Sequence, residues 1–116
     1  MKFSVDLKEL NEALAVVTKA LSPNVDTPIL KGIYLSAYGN ELYLKCSDSS
    51  VQIETLIPAM IEEEGAAVLP GRLTADLLRK MRGNSVNFET EDNSTVKVET
   101  GKSRSSLSFF PADTYP

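Results

Sequence analysis

The chain has 116 residues, 42% of them hydrophobic and 24% charged, with a net charge of −4 and a pI near 4.8. That length predicts a single domain, 1–116, with a core of its own; no apolar run approaches the roughly 20 residues a bilayer demands, so no membrane role is expected. An acidic chain does not grip nucleic acid by coating itself in positive charge, so any polyanion site must be local.

With no histidine and one cysteine, the chain lacks Ser–His–Asp and Cys–His nucleophile sets and every His-containing zinc site. Cys46 has no partner for an intrachain disulfide, which points to a reducing, cytoplasmic setting. Met1-Lys2-Phe3-Ser4-Val5 runs straight into alternation with no signal-peptide core.

Phe3 and Val5 alternate with polar neighbours and predict a short strand. Asp6 is placed to cap a helix three residues before Glu9. Leu7, Leu10, Leu14, Val17 and Leu21 mark its apolar face, with Lys8, Glu12 and Lys19 opposite, and Pro23 ends it. Ile33, Leu35 and Ala37 predict a strand, Gly39-Asn40 a hairpin turn, and Leu42 to Cys46 the returning strand. Ser47-Asp48-Ser49-Ser50 reads as a turn, and Val51, Ile53 and Thr55 as a further strand closed by Pro58.

The order then repeats. Met60, Ile61 and Glu62-Glu63-Glu64 read as a linker-like loop, and Ala66 to Leu69 as a strand. A second helix fills 72–82. Val86 and Phe88, Val96 and Val98, and Leu107 and Phe109 give three more strands, parted by turns at Glu91-Asp92-Asn93 and Thr100-Gly101-Lys102. Element order in 1–58 matches that in 59–116, which predicts a duplicated β-α-β-β-β unit. One helix cannot cover both faces of its sheet, so two units pack together. The expected fold is α+β, with both helices on one side flanked by largely antiparallel sheets.

The second helix concentrates the chemistry. Leu73, Leu77, Leu78 and Met81 recur at helical spacing and predict one apolar face. Arg72 and Arg79 point away from it, with Arg82 and Lys80 on the flanks. Such a helix is either an ordinary solvated amphipathic surface or a surface that offers positive charge to a polyanion. If both helices face the same way, Lys8 and Lys19 join Arg72, Arg79 and Arg82. Glu12 and Asp76 dilute that field, so it attracts without gripping.

Other motifs give little. Asp48 beside Ser49 and Ser50 is explained by a turn, and three adjacent glutamates in a loop rarely converge on one ion, so neither a metal nor a cofactor is expected. There is no phosphate-binding glycine loop. Tyr34, Tyr38 and Tyr43 lack the interleaved basic residues of RNA-binding sheets beyond Lys31 and Lys45 and read as strand packing.

Taken in order, Met1-Lys2-Phe3 into a helix, Thr27-Pro28-Ile29-Leu30-Lys31-Gly32-Ile33, Cys46-Ser47-Asp48, the Gly71-Arg72 helix start, Gly101-Lys102-Ser103-Arg104 and Phe110-Pro111-Ala112-Asp113-Thr114-Tyr115-Pro116 resemble the N-terminal domain of the bacterial sliding-clamp family, the beta subunit of DNA polymerase III. The resemblance implies the first third of a non-catalytic processivity factor. Such a factor is a head-to-tail ring of two three-domain chains that encircles duplex DNA, slides without reading sequence and tethers the replicative polymerase. It implies that Lys8, Lys19, Arg72, Arg79 and Arg82 face DNA, and that Asn24 stands where the family often carries a DNA-touching arginine. It places the second protomer against Lys102, Arg104 and Leu107, with Leu73, Leu77 and Lys80 beside them; Ser105 replaces an aromatic residue common there. Polymerase and clamp loader would bind between the second and third domains, outside this chain. Two other classes remain open from the residues alone: a small enzyme, disfavoured by the missing histidine, and a generic protein-interaction module using an exposed sheet edge.

Overall fold

The computed structural model describes residues 1–21, 31–48 and 50–116. Its elements run β1 (Lys2–Asp6), α1 (Leu7–Val17), β2 (Gly32–Tyr38), β3 (Glu41–Ser47), β4 (Gln52–Pro58), β5 (Met60–Glu63), β6 (Gly65–Pro70), α2 (Gly71–Lys80), β7 (Ser85–Thr90), β8 (Thr95–Glu99), β9 (Arg104–Ser108) and β10 (Phe110–Pro111). Among the described residues the fold is mixed α and β, with two α-helices and two five-stranded sheets, ordered β5-β1-β7-β8-β9 and β10-β6-β2-β3-β4. The pairings are antiparallel.

The repeat is deeper than the element order suggests. With the repeat dividing near residue 64 and not at 58, each half has a fifth strand, and each gives its first and fifth strands to the other half's sheet. β1 and β5 join β7, β8 and β9, while β6 and β10 join β2, β3 and β4. The expectation of a self-contained sheet in each unit is therefore corrected. The expected loop at Met60 to Glu64 is also corrected, because Met60–Glu63 is β5, with Phe3 opposite Ile61. Ile57, Ala59 and Ile61 turn inward in alternation, which is the period-2 signal that the acidic run obscures.

The chain changes sheet through a single residue in each half. Ala59 carries it from β4 to β5 and donates its N–H to Asn40 O (2.9 Å); Phe109 carries it from β9 to β10 and donates to Ser94 O (2.9 Å). Each corner is thus fastened to the tip of a neighbouring hairpin, which satisfies a backbone donor that neither sheet can use.

Alternation decides what lies inside. Phe3, Val5, Ile33, Leu35, Leu42, Leu44, Val86, Phe88, Val96 and Val98 are buried, and with Leu10, Leu14, Val17 and Leu78 they form one cluster shared by both sheets and both helices. Phe3 and Phe88 stack at 4.9 Å across the β1–β7 junction, where the two halves meet. On the outer face of that sheet Lys2 bridges Glu62 (3.2 Å) and Glu89 (3.7 Å), and Lys97 bridges Glu89 (3.4 Å) and Glu99 (3.3 Å). The opposite charges of Lys2 and Glu89 and of Glu89 and Lys97, directly paired on neighbouring strands, favour this register.

The turns use short polar side chains, as their composition predicts. Asp48 accepts from the N–H groups of Ser50 and Val51 (both 2.6 Å), and Asp92 from those of Ser94 (2.8 Å) and Thr95 (2.7 Å). These bonds hold both carboxyls below the usual aspartate range. Thr100 does the same for Lys102 and Ser103. Gly39 has φ +64° at the first position of the β2–β3 turn, where a two-residue hairpin of the II′ kind requires it.

Candidate nucleic-acid interface

Both helices start directly from a strand. Asp6 caps α1, accepting from the Glu9 N–H at 2.9 Å, so β1 passes into the helix without a loop. The α-helical turns end at Val17 and a 3₁₀ turn covers Thr18–Ala20, in which the Thr18 hydroxyl donates to Leu14 O at 2.6 Å. The helix is thus shorter than its apolar spacing predicts, and Leu21 lies beyond it, half-buried against the core. Pro23 and Asn24 fall outside the described residues.

The two helices lie side by side in opposite directions. Asn11 Nδ2 donates to Leu78 O at 3.2 Å, the Leu7 N–H donates to Asn84 O at 2.9 Å, and Gly71 packs against Leu21. The close approach at Gly71 is tight: a Cβ there would stand 2.5 Å from Leu21 Cδ1 and 2.5 Å from Lys31 O. Glycine at this position lets α2 settle against the chain entering β2.

The buried stripe of α2 differs from expectation. Gly71, Thr74, Ala75 and Leu78 are buried, followed by Met81 just past the helix, whereas Leu73 is 59% exposed and Leu77 only half-buried. Small Thr74 and Ala75 let the helix lie close to its neighbours, and this rotates the leucine-rich stripe to one flank. The expected face of Leu73, Leu77, Leu78 and Met81 is therefore only half right. Arg82 is also displaced. Met81 is extended, so the helix ends at Lys80 and Arg82 projects from the following segment.

Lys8, Lys19, Arg72, Arg79, Lys80 and Arg82 are all exposed on the two helical segments. Residues 7–20 and 71–82 hold six cations against Glu9, Glu12 and Asp76, in a chain whose net charge is −4. Arg79 pairs with Asp76 along the helix. Among the described residues, Lys8, Lys19, Arg72, Lys80 and Arg82 form no ion pair, which leaves their charge available to an outside anion. The guanidinium of Arg72 also reaches the field at Cys46, although burial dominates there and pushes the thiol up to about 12. The surface offers point charges around one shallow, open groove at Lys8, Asn11, Glu12 and Gly83, which suits attraction to a line of phosphates more than recognition of one group.

The other predicted site lies at the β9 edge. β9 ends its sheet, and Arg104 on it is exposed, as is Lys102 in the turn before it. Leu107 is a correction. It is 4% exposed and sits opposite Val96, so it belongs to the core and offers nothing to a second chain. Arg104, Ser106 and Ser108 take the outward positions, and the one apolar residue of the alternating set turns in.

The expected packing of tyrosines is seen for Tyr34 and Tyr43, edge-to-face at 6.1 Å. Tyr115, which the residue pattern does not single out, joins Tyr34 at 5.5 Å, and Lys45 Nζ lies 5.5 Å from its ring centre. Tyr38 stands apart and exposed. Among the described residues no helix is long and apolar enough to cross a membrane, and no group of His, Cys, Asp and Glu is arranged to hold a metal ion.

The family model for the DNA polymerase III beta subunit, N-terminal domain, matches residues 1–116. The beta sliding clamp of Staphylococcus epidermidis is 36% identical over 95% of this chain and 30% of its own length. That of Staphylococcus aureus is 35% identical over the same shares. Among solved structures, the DNA polymerase sliding clamp of Bacillus subtilis superposes on the whole chain with a TM-score of 0.97 at 31% identity, using 33% of its own length. The Helicobacter pylori beta clamp bound to a DNA ligase peptide does so with a TM-score of 0.92 at 28% identity, using 32%. This chain thus spans about a third of the relatives it matches. It belongs to the family of DNA polymerase III beta subunit N-terminal domains.

Proposed function

We propose that this chain is one domain of a ring that encloses duplex DNA and keeps a replicative polymerase on it, sliding without reading sequence. The observation that carries the reading is the paired helical surface, cationic in an otherwise acidic chain. A ring that slides requires attraction to phosphates that is loose and indifferent to bases, and flexible exposed Lys and Arg side chains supply that. Lys8, Lys19, Arg72, Arg79 and Arg82 face the DNA in this arrangement. In this reading the domain is non-catalytic, and among the described residues the two carboxyls with lowered pKa, Asp48 and Asp92, are turn acceptors.

A second copy of the full-length chain closes the ring at the β9 edge. Arg104, Lys102 and Lys80 supply the charges, and exposed Leu73 with half-buried Leu77 supplies the apolar surface. Polymerase, loader and peptides such as the ligase segment on the Helicobacter pylori clamp dock on parts outside this chain.

The test uses the full-length protein. Arg72→Ala with Arg79→Ala weakens binding to short duplex DNA at low salt by about tenfold or more and flattens the salt slope by up to about 1.8. Arg104→Glu with Leu73→Ala gives folded monomers by sedimentation that leave circular DNA as readily as linear DNA. Unchanged DNA binding in the first variant refutes the helical surface. Unchanged dimers in the second place the interface elsewhere.

A further inference from the structure

The two helices match position by position, because each begins where its strand ends: Leu7 corresponds to Gly71 after the caps at Asp6 and Pro70. Lys8 then matches Arg72, Leu14 matches Leu78, and Val17 matches Met81. Their burial agrees as well, with Lys8 and Arg72 exposed and Leu14, Leu78, Val17 and Met81 buried. At the centre of the outward face this register sets Glu12 against Asp76. The halves share few residues, yet both place a carboxylate four positions after the first cation, among charged groups that, Glu9 apart, are positive.

At position 76 the effect of that carboxylate is visible. Asp76 pairs with Arg79 one turn on, with side-chain exposures of 49% and 62%, so the pair lies at the surface where an incoming phosphate would compete for the same guanidinium. The pair stabilises an exposed helix little, since such i, i+3 contacts contribute only marginally. Its larger consequence is for anions: Arg79 must share its guanidinium between Asp76 and an incoming phosphate, and that phosphate meets a nearby negative charge. Glu12 sits likewise beside Lys8, Asn11 and Ala15 along the groove that runs to Gly83.

We propose that Asp76 and Glu12 limit the grip of the helical surface on DNA, keeping phosphate contacts weak enough for the ring to move. This rests on the DNA-facing role proposed above. It assigns the two carboxylates a negative contribution to affinity, not a structural one.

The experiment compares full-length rings carrying Asp76→Asn, Glu12→Gln, both together, Arg72→Ala, Arg79→Ala, and Asp76→Asn with Arg79→Ala. Asn and Gln keep shape and helical context, and thermal melts check that each variant is folded. Binding to a short duplex is titrated across salt, and diffusion is followed on single DNA molecules blocked at both ends. Asp76→Asn tightens binding at about 50 mM salt by about three- to eightfold, steepens the salt slope by up to about 0.9, and slows diffusion. Glu12→Gln moves all three in the same direction, and the double variant moves further. Arg79→Ala costs less than Arg72→Ala in the native background, because Arg79 is already engaged. The gain from Asp76→Asn shrinks when Arg79 is absent. If Arg72→Ala weakens binding while Asp76→Asn and Glu12→Gln change nothing, the limiting role is overturned and the DNA-facing surface stands. If none of the variants alters binding or diffusion, the surface itself is wrong and the limiting role falls with it.

Discussion

Truncating two leucines of α2 separates the observed packing from the pattern that the sequence suggests. Leu78 is fully buried and Leu73 is 59% exposed, five residues apart on the same short helix. Leu78→Ala removes three carbons from a site held by two sheets and by α1, whose Asn11 is hydrogen-bonded to the Leu78 carbonyl. Strands pinned by their ladders close poorly around a void, so the cost falls at about 3–4 kcal/mol, within the about 2–5 usual for Leu→Ala in a core. Leu73→Ala leaves no cavity and loses only the buried fraction of one side chain, less than about 1 kcal/mol, partly offset by the better helix propensity of alanine. Leu77→Ala lies between them. Urea unfolding of the 116-residue chain, followed by circular dichroism, measures all three. With a slope of about 1–3 kcal/mol/M, Leu78→Ala lowers the midpoint by about 1 M or more while Leu73→Ala barely moves it. Equal losses at Leu73 and Leu78 would refute the rotated stripe.

Gly71→Ala forces a methyl against the Lys31 carbonyl, a backbone atom that cannot swing aside. It therefore destabilises the chain by about 1–3 kcal/mol despite the gain in helix propensity, read as a lowered melting temperature. The Cys46 thiol, pushed up to about 12, stays protonated at neutral pH, so the folded chain reacts with a thiol-directed disulfide reagent far more slowly than the urea-unfolded chain; equal rates would refute the burial. Because the turn bonds lower the pKa of Asp92, its ionised form adds stability above the unfolded aspartate value, and that contribution is lost as pH falls through the folded one. The stability difference between native chain and Asp92→Ala accordingly shrinks as pH falls through and below the ordinary aspartate range, and a constant difference would mean that the ionised carboxylate is not the acceptor.

Period-2 alternation made β1, β2, β3, β7 and β8 legible, because each has one wet face and one dry one. It did not reveal which sheet a strand joins. The first strand's partner, β7, lies in the other half of the chain, and nothing local to Phe3 or Val5 encodes that. The corners at Ala59 and Phe109 were invisible for a related reason: a one-residue crossing leaves no room for a turn signature, so β5 looked like a loop. On α2 the large leucines outweighed Thr74 and Ala75, yet closeness of approach favours small residues. The cations were legible as exposed, since charged side chains have few alternatives. The resemblance places Leu107 at a subunit contact, while the alternation of its own strand turns it inward.

The exchange of strands between halves also governs when the domain can come into being. Val5 finds its backbone partner at Val86, about 80 residues downstream. At about 5–20 residues per second, β1 waits on the order of ten seconds for β7 to be synthesised. Until then β1 has only the short β5 to pair with and Phe3 has no Phe88 to stack upon, and the sheet of β2 to β4 and β6 still lacks β10. Neither half is a finished folding unit, so the nascent chain has no stable halfway house. The distant pairings that slow such a topology also make its closure all-or-none.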